Sequence, residues 1–165
     1  FDSYVVSKQD MGEVTISSTV IRNTLAEEGD VKKASEYLGR EYLLNGIVMH
    51  GDERGRTIGY PTANLKPEHE NKVIPKNGVY SVKVRVDDQW YGGMMNIGIR
   101  PTFNDPVRTI EVNIFDFDRE IYGNTIQVRF VDRIRNEKKF EGIQELKKQI
   151  QEDERKSKEI LSPIT

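Results

Sequence analysis

Between Tyr42 and Ile134 the sequence runs through short stretches of period two with no helical stretch between them. Gly78–Val86 is the cleanest. Tyr80, Val82, Val84 and Val86 fall on one side and Ser81, Lys83 and Arg85 on the other, as in a half-buried strand. Asp87-Asp88 turns the chain, and Gln89–Ile99 returns. Gly92-Gly93 within it marks a bulge or a close backbone approach. Tyr42–His50, apolar on both faces, and Thr57–Leu65, Arg108–Phe117 and Thr125–Ile134 complete a set of six. Residues 66–77, with Pro67 and Pro75, and residues 100–107 read as loops, and Asp118–Gly123 as a turn. Strands following so closely pair antiparallel, because parallel neighbours need long crossovers. The expectation is a mainly β fold: a six-stranded antiparallel, Greek-key-like barrel. A barrel this small fills its interior with side chains, so a ligand has to bind at a rim, under loops.

Helices flank the barrel. Ser17-Ser18-Thr19 can cap one that runs to about Glu28 and closes at Gly29, with Val20, Ile21, Thr24 and Leu25 on its buried side. Asp30 can cap a second, with Val31, Ala34, Tyr37 and Leu38 apolar and Gly39 ending it. Two such helices cannot form a domain alone. Residues 1–39 therefore read as the end of a preceding domain plus a linker, and 40–165 as barrel and C-terminal helix. The chain opens on Phe1, as a piece of something longer would. The last helix is expected from Phe140 to Leu161, with Ile143, Leu146 and Ile150 as its early apolar side and Glu152–Glu159 as a solvated, charged face.

Composition narrows the function classes. A formal net charge of −2 argues against a dedicated nucleic-acid binder. No apolar run approaches the ~20 residues of a membrane span. The chain has no cysteine, hence no disulfide and no thiolate metal site. No signal-peptide pattern opens it, and a cytoplasmic location is expected.

Two stretches could carry chemistry. Gly51, Gly55 and Gly59 allow a backbone that lies close against a ligand, and Arg54 and Arg56 among them suit phosphate oxygens. Pro61 then starts or edges a strand on which Thr62 and Asn64 share one side. Their neutral oxygens suit Mg²⁺ that takes its other ligands from water and a nucleotide's phosphates. From composition alone the same residues are also a glycine-rich turn and a polar edge strand. The second stretch is Arg108–Phe117. Ile110, Val112 and Ile114 alternate as a core face, which puts Glu111 and Asn113 on the other with Phe115 and Phe117. Glu111 is either an exposed glutamate or a partly desolvated carboxylate suited to general-base work.

Longer patterns favour the chemical readings. Gly55–Leu65 (GRTIGYPTANL) resembles the signature of riboflavin kinases, or flavokinases, and Thr109–Gly123 (TIEVNIFDFDREIYG) resembles the second signature of that family. Ile134–Phe140 (IRNEKKF) is similar to the stretch that closes over the flavin. Asn77–Tyr80 and Asn96–Phe103 fit the family's strand starts and phosphate-side loop. The matches run in order from about Tyr42 to Ile160. The resemblance implies phosphorylation of riboflavin by ATP at its 5′-hydroxyl, giving FMN. It implies Glu111 as catalytic base, Thr62 and Asn64 as ligands of Mg²⁺ (Zn²⁺ or Mn²⁺ could substitute), and Gly51, Gly55, Arg56, Gly59, Thr62 and Asn113 at ATP. Arg56 stands where many relatives have lysine, and Asn113 where histidine is frequent. Arg135, Lys138 and Phe140 are implied at the flavin, with Glu145 near them. Ile16–Arg22 (ISSTVIR) is similar to the segment that closes the adenylyltransferase domain of bacterial bifunctional FAD synthetases, which makes that domain the expected N-terminal partner. The histidine-pair motif of that domain is missing: His50 and His69 lie in no such pattern. The competing readings are a non-catalytic flavin-binding regulatory barrel and an OB-like nucleic-acid module.

Overall fold

The computed structural model of the chain describes residues 4–5, 15–49, 62–100, 104 and 106–162. Strands β1 (Tyr4–Val5) and β2 (Thr15–Ile16) form a small antiparallel pair. Six further strands follow: β3 (Leu43–Met49), β4 (Ala63–Pro67), β5 (Gly78–Val86), β6 (Gln89–Arg100), β7 (Val107–Ile114) and β8 (Thr125–Arg135). They close into a barrel in the order β3-β4-β7-β6-β5-β8, every pair antiparallel. The mainly β, six-stranded barrel expected from the alternation is the one observed.

The alternation of β5 is realised directly. Tyr80, Val82, Val84 and Val86 point into a core shared with Leu44, Val48, Met95, Ile97, Ile110, Val112, Ile126, Val128 and Phe130. Tyr80 meets Phe130 edge-on at 5.4 Å, a favourable aromatic geometry. Asp87 and Asp88 take φ of 49° and 66°. Two successive left-handed residues match the strand twist in a two-residue hairpin. The glycine pair in β6 makes a close approach rather than a bulge, since its register with β5 is unbroken. Gly92 lies under Leu161, and the Gly93 carbonyl accepts a 2.9 Å bond from the Ser157 hydroxyl. The irregularities lie instead between β5 and β8, at Val79/Tyr80 and Ser81/Val82.

The N-terminal helices pack on the barrel end where β5 begins and β8 finishes. Helix α1 (Ser18–Asn23) continues as a π-helical turn, Thr24–Glu28, and ends at Gly29 with φ of 66°. Helix α2 (Val31–Leu38) is capped by Asp30, whose Oδ1 accepts from the Lys33 amide at 3.0 Å, and ends at Gly39 with φ of 74°. Ile21, Leu25, Val31 and Ala34 join the same apolar cluster as Tyr42, Tyr80 and Phe130. Val20 does not belong to the buried side: it is 44% exposed, a position off the stripe that Ile21, Thr24 and Leu25 bury.

The C-terminal helix α3 (Ile143–Leu161) departs further from expectation. It starts at an extended Gly142, so Phe140 precedes it rather than opening it. Ile143 is 57% exposed. The buried positions are Asp153 and Ser157, inside the stretch read as a solvated charged face. The helix is held by polar anchors. Ser157 Oγ sits 2.9 Å from Ser81 Oγ, and Asp153 pairs with Arg135. The even-numbered alternation of β7 also stops at Ile114. Asp116, at φ of 54°, turns the backbone, so Phe117 leaves the face of Glu111 and packs edge-on against Tyr91, 5.1 Å between ring centres.

Candidate active site

Strand β7 lies between β4 and β6, and its register decides which side chains meet. Glu111 is directly opposite Asn64 of β4 on one side and Asn96 of β6 on the other. Cross-strand partners project to the same face. Ile110 and Val112 point into the core, so the three polar side chains project outward in one row. Thr62, just before β4, is two residues from Asn64. Asn64 Oδ1 is buried and has no hydrogen-bond partner among the described residues. Leaving a buried acceptor unsatisfied costs about 1–3 kcal/mol, so this oxygen is set up for a ligand. Thr62 and Asn64 together therefore fit a hard cation completed by phosphate and water oxygens. Among the described residues no group of three or more His, Asp or Glu side chains is arranged to hold a metal.

A cavity of about 410 Å³ opens at this end of the barrel. Val48, Ala63, Val112 and Ile114 form its apolar floor, Thr62 stands at its edge, and the loop from Phe117 to Tyr122 forms its wall. The loop is tied down by backbone bonds, Gly123 N to Val48 O at 2.8 Å and Val48 N to Asn124 O at 2.9 Å. This is a rim site under a loop, as barrel size demands. Phe117, Arg119 and Tyr122 were not picked out beforehand as lining. The signal was present in Asp116, a residue tolerant of positive φ that redirects the following side chain.

The row of outward residues continues from Asn96 to Val79 of β5 and from Val79 to Arg135 of β8. Arg135 thus stands three strand spacings from Glu111, about 14 Å. Its guanidinium makes a bidentate pair with Asp153, Nε to Oδ1 at 2.9 Å and NH2 to Oδ2 at 2.8 Å. The Phe140 ring lies 5.8 Å from Arg135 Cζ and 5.6 Å from Lys138 Nζ. The three residues implied at the flavin are therefore brought together. Glu145 is exposed in the first turn of α3. Asn113 is buried opposite Met94 and is not among the residues that line the cavity. Gly51, Gly55, Arg56 and Gly59 lie outside the described residues, as does the expected strand segment 57–61.

The perturbed groups near the far end are structural. Burial pushes the Tyr80 phenol up, against the opposing pull of Arg133, which donates to it at 2.6 Å. Burial lowers the Arg108 guanidinium, which donates to Asn77 Oδ1 at 3.0 Å.

A carboxylate beside neutral oxygens, with a cavity edged by Thr62 at the barrel end and a cationic aromatic cluster further along the outward row, suits transfer between a nucleotide and an alcohol. The family model for flavokinase, riboflavin kinase, matches residues 38–161. The chain belongs to the riboflavin kinase family. The bifunctional riboflavin kinase/FMN adenylyltransferase of Bacillus subtilis is 46% identical over 93% of this chain and 49% of its own length. The chain thus spans about half the length of that relative. A solved structure described as a macrolide-efflux protein from Streptococcus pneumoniae superposes with a TM-score of 0.80, at 43% identity, over 90% of this chain and 48% of that one. Among the described residues here, no helix is long and apolar enough to cross a membrane. The riboflavin kinase of Trypanosoma brucei shares the fold, with a TM-score of 0.53 at 24% identity over 73% of this chain and 79% of that one. The family places this riboflavin kinase domain among the transferases that use ATP and riboflavin as substrates.

Proposed function

We propose that this chain transfers the terminal phosphoryl group of ATP to the 5′-hydroxyl of riboflavin, giving FMN. The observation that carries the reading is the pairing of Glu111 with Asn64, whose Oδ1 is buried and unpartnered. Phosphoryl transfer needs positioning and charge stabilisation more than covalent help. Glu111 accepts the hydroxyl proton as the oxygen attacks phosphorus. Thr62 and Asn64 hold Mg²⁺; when bound, the cation offsets phosphate charge. The cavity beside them takes the nucleotide, with Asn113 supporting this side from β7. Gly51, Gly55, Arg56 and Gly59 belong to the ATP-binding residues in this reading. Arg135, Lys138 and Phe140 take the ring of riboflavin, 14 Å or so round the barrel.

The test is incubation with riboflavin and Mg-ATP followed by chromatography for FMN and FAD. FMN is the expected product. Flavin retained without conversion would favour the regulatory-barrel reading. Asn64→Ala should raise the Mg²⁺ concentration needed for half-maximal rate by about 10–100-fold, at least the loss typical of groups that only support a ligand. Calorimetric titration of Mg-ADP should show the same weakening. An unchanged Mg²⁺ requirement would remove Asn64 from the metal site.

In a longer protein, residues 1–39 would close an adenylyltransferase half like that named for the relatives, and residues 40–165 would be the kinase. The start of the family match at residue 38 supports that boundary. A cytoplasmic location is part of the same reading, supported by the absence of cysteine.

A further inference from the structure

Asn96 has no role in the machinery described so far, yet it flanks the proposed base as directly as Asn64 does. It is exposed, it shares the outward face with Glu111, and it makes no side-chain hydrogen bond among the described residues. The two asparagines differ in their surroundings. Asn64 is two residues from Thr62, which lines the cavity. Asn96 borders Val79, which is 4% exposed, and beyond Val79 comes the Arg135–Phe140 cluster.

Resting on the kinase reading, we infer that Asn96 binds the hydroxylated chain of the acceptor and delivers its terminal alcohol to Glu111. From the base along the row come a carboxylate, an amide, a buried valine, then a cation and an aromatic ring. An alcohol-bearing polyol chain followed by a flat aromatic ring presents the complementary order. A side-chain amide both donates and accepts, which suits hydroxyls, since they do both as well. Charged residues would serve worse at this position. A lysine would pair with Glu111 and lower its basicity, and a carboxylate would repel its charge. The base then divides the site: phosphate and cation arrive from the β4 side, the acceptor from the β6 side.

The experiment compares two flavins on the 165-residue chain. Riboflavin carries the hydroxylated chain and lumiflavin lacks it. Both are titrated by quenching of flavin fluorescence. Asn96→Ala should weaken riboflavin binding about two- to tenfold, the worth of one hydrogen bond, and leave lumiflavin binding and the KM for Mg-ATP within about twofold. Asn96→Ser, which restores a group that donates and accepts, should recover part of the loss. Riboflavin binding by Asn96→Ala equal to that of the unaltered chain would overturn the assignment, as would equal losses for riboflavin and lumiflavin. Failure of the unaltered chain to form FMN would instead overturn the kinase reading beneath it.

Discussion

Glu111→Gln should slow FMN formation by about 10²–10⁴-fold, the usual worth of a general base, while riboflavin and Mg-ATP bind almost as before. Glutamine has the same shape and occupies the same place in β7, whose position is fixed by pairing on both edges and by the burial of Ile110 and Val112. The variant keeps the row of polar side chains and loses only the group that can take a proton. Its residual rate should also lack the acid limb of the pH profile, since no carboxylate remains to be protonated. Single-turnover rates and direct titrations separate chemistry from binding. Turnover near the original rate would mean that another group, or solvent, takes the proton.

The second large effect concerns stability. Asp153→Ala should lower the free energy of unfolding by about 3–5 kcal/mol, the cost of leaving one member of a buried pair alone. The side chain of Asp153 is 3% exposed and that of Arg135 19%. Arg135 binds both carboxylate oxygens, and Gln149 donates a third bond at 3.0 Å. Asp153→Asn keeps the acceptor oxygen and should lose less. Because Arg135 also supports Phe140, the alanine variant should bind riboflavin more weakly and nucleotide unchanged. Urea unfolding checks the first point, and a loss below about 1 kcal/mol would place the pair among solvated ones.

How much of this could be read in advance depended on the range of the interaction. Strands and turns were legible because their causes are local: the alternation in β5, the Asp87-Asp88 hairpin, and the caps at Ser17 and Asp30. The buried side of α3 was not, because Asp153 and Ser157 are buried by partners far away in sequence, Arg135, Ser81 and Gly93. A charge pattern alone looks the same whether its partner is water or a distant arginine. Phe117 was misplaced for a smaller reason, a single left-handed residue that ends the period of two. In the site, Glu111 was suggested by family resemblance and its face by alternation. Its adjacency to Asn64 and Asn96 required the strand order, since β4 and β7 are neighbours in the barrel though distant in the chain. The cavity needed the loop from Phe117 to Tyr122 to fold back over the barrel mouth.

The double pairing of β7 has a consequence for how such a domain can change. A strand bonded along both edges of a closed barrel cannot slide, and a shift of one residue would turn every side chain to the other face. A one-residue slip of the whole strand would aim Glu111 into the core and Val112 out of it. Chemistry and folding would then be lost in one event. The hydrophobic residues either side of Glu111, Ile110 and Val112, thus set where its carboxylate points through their own burial.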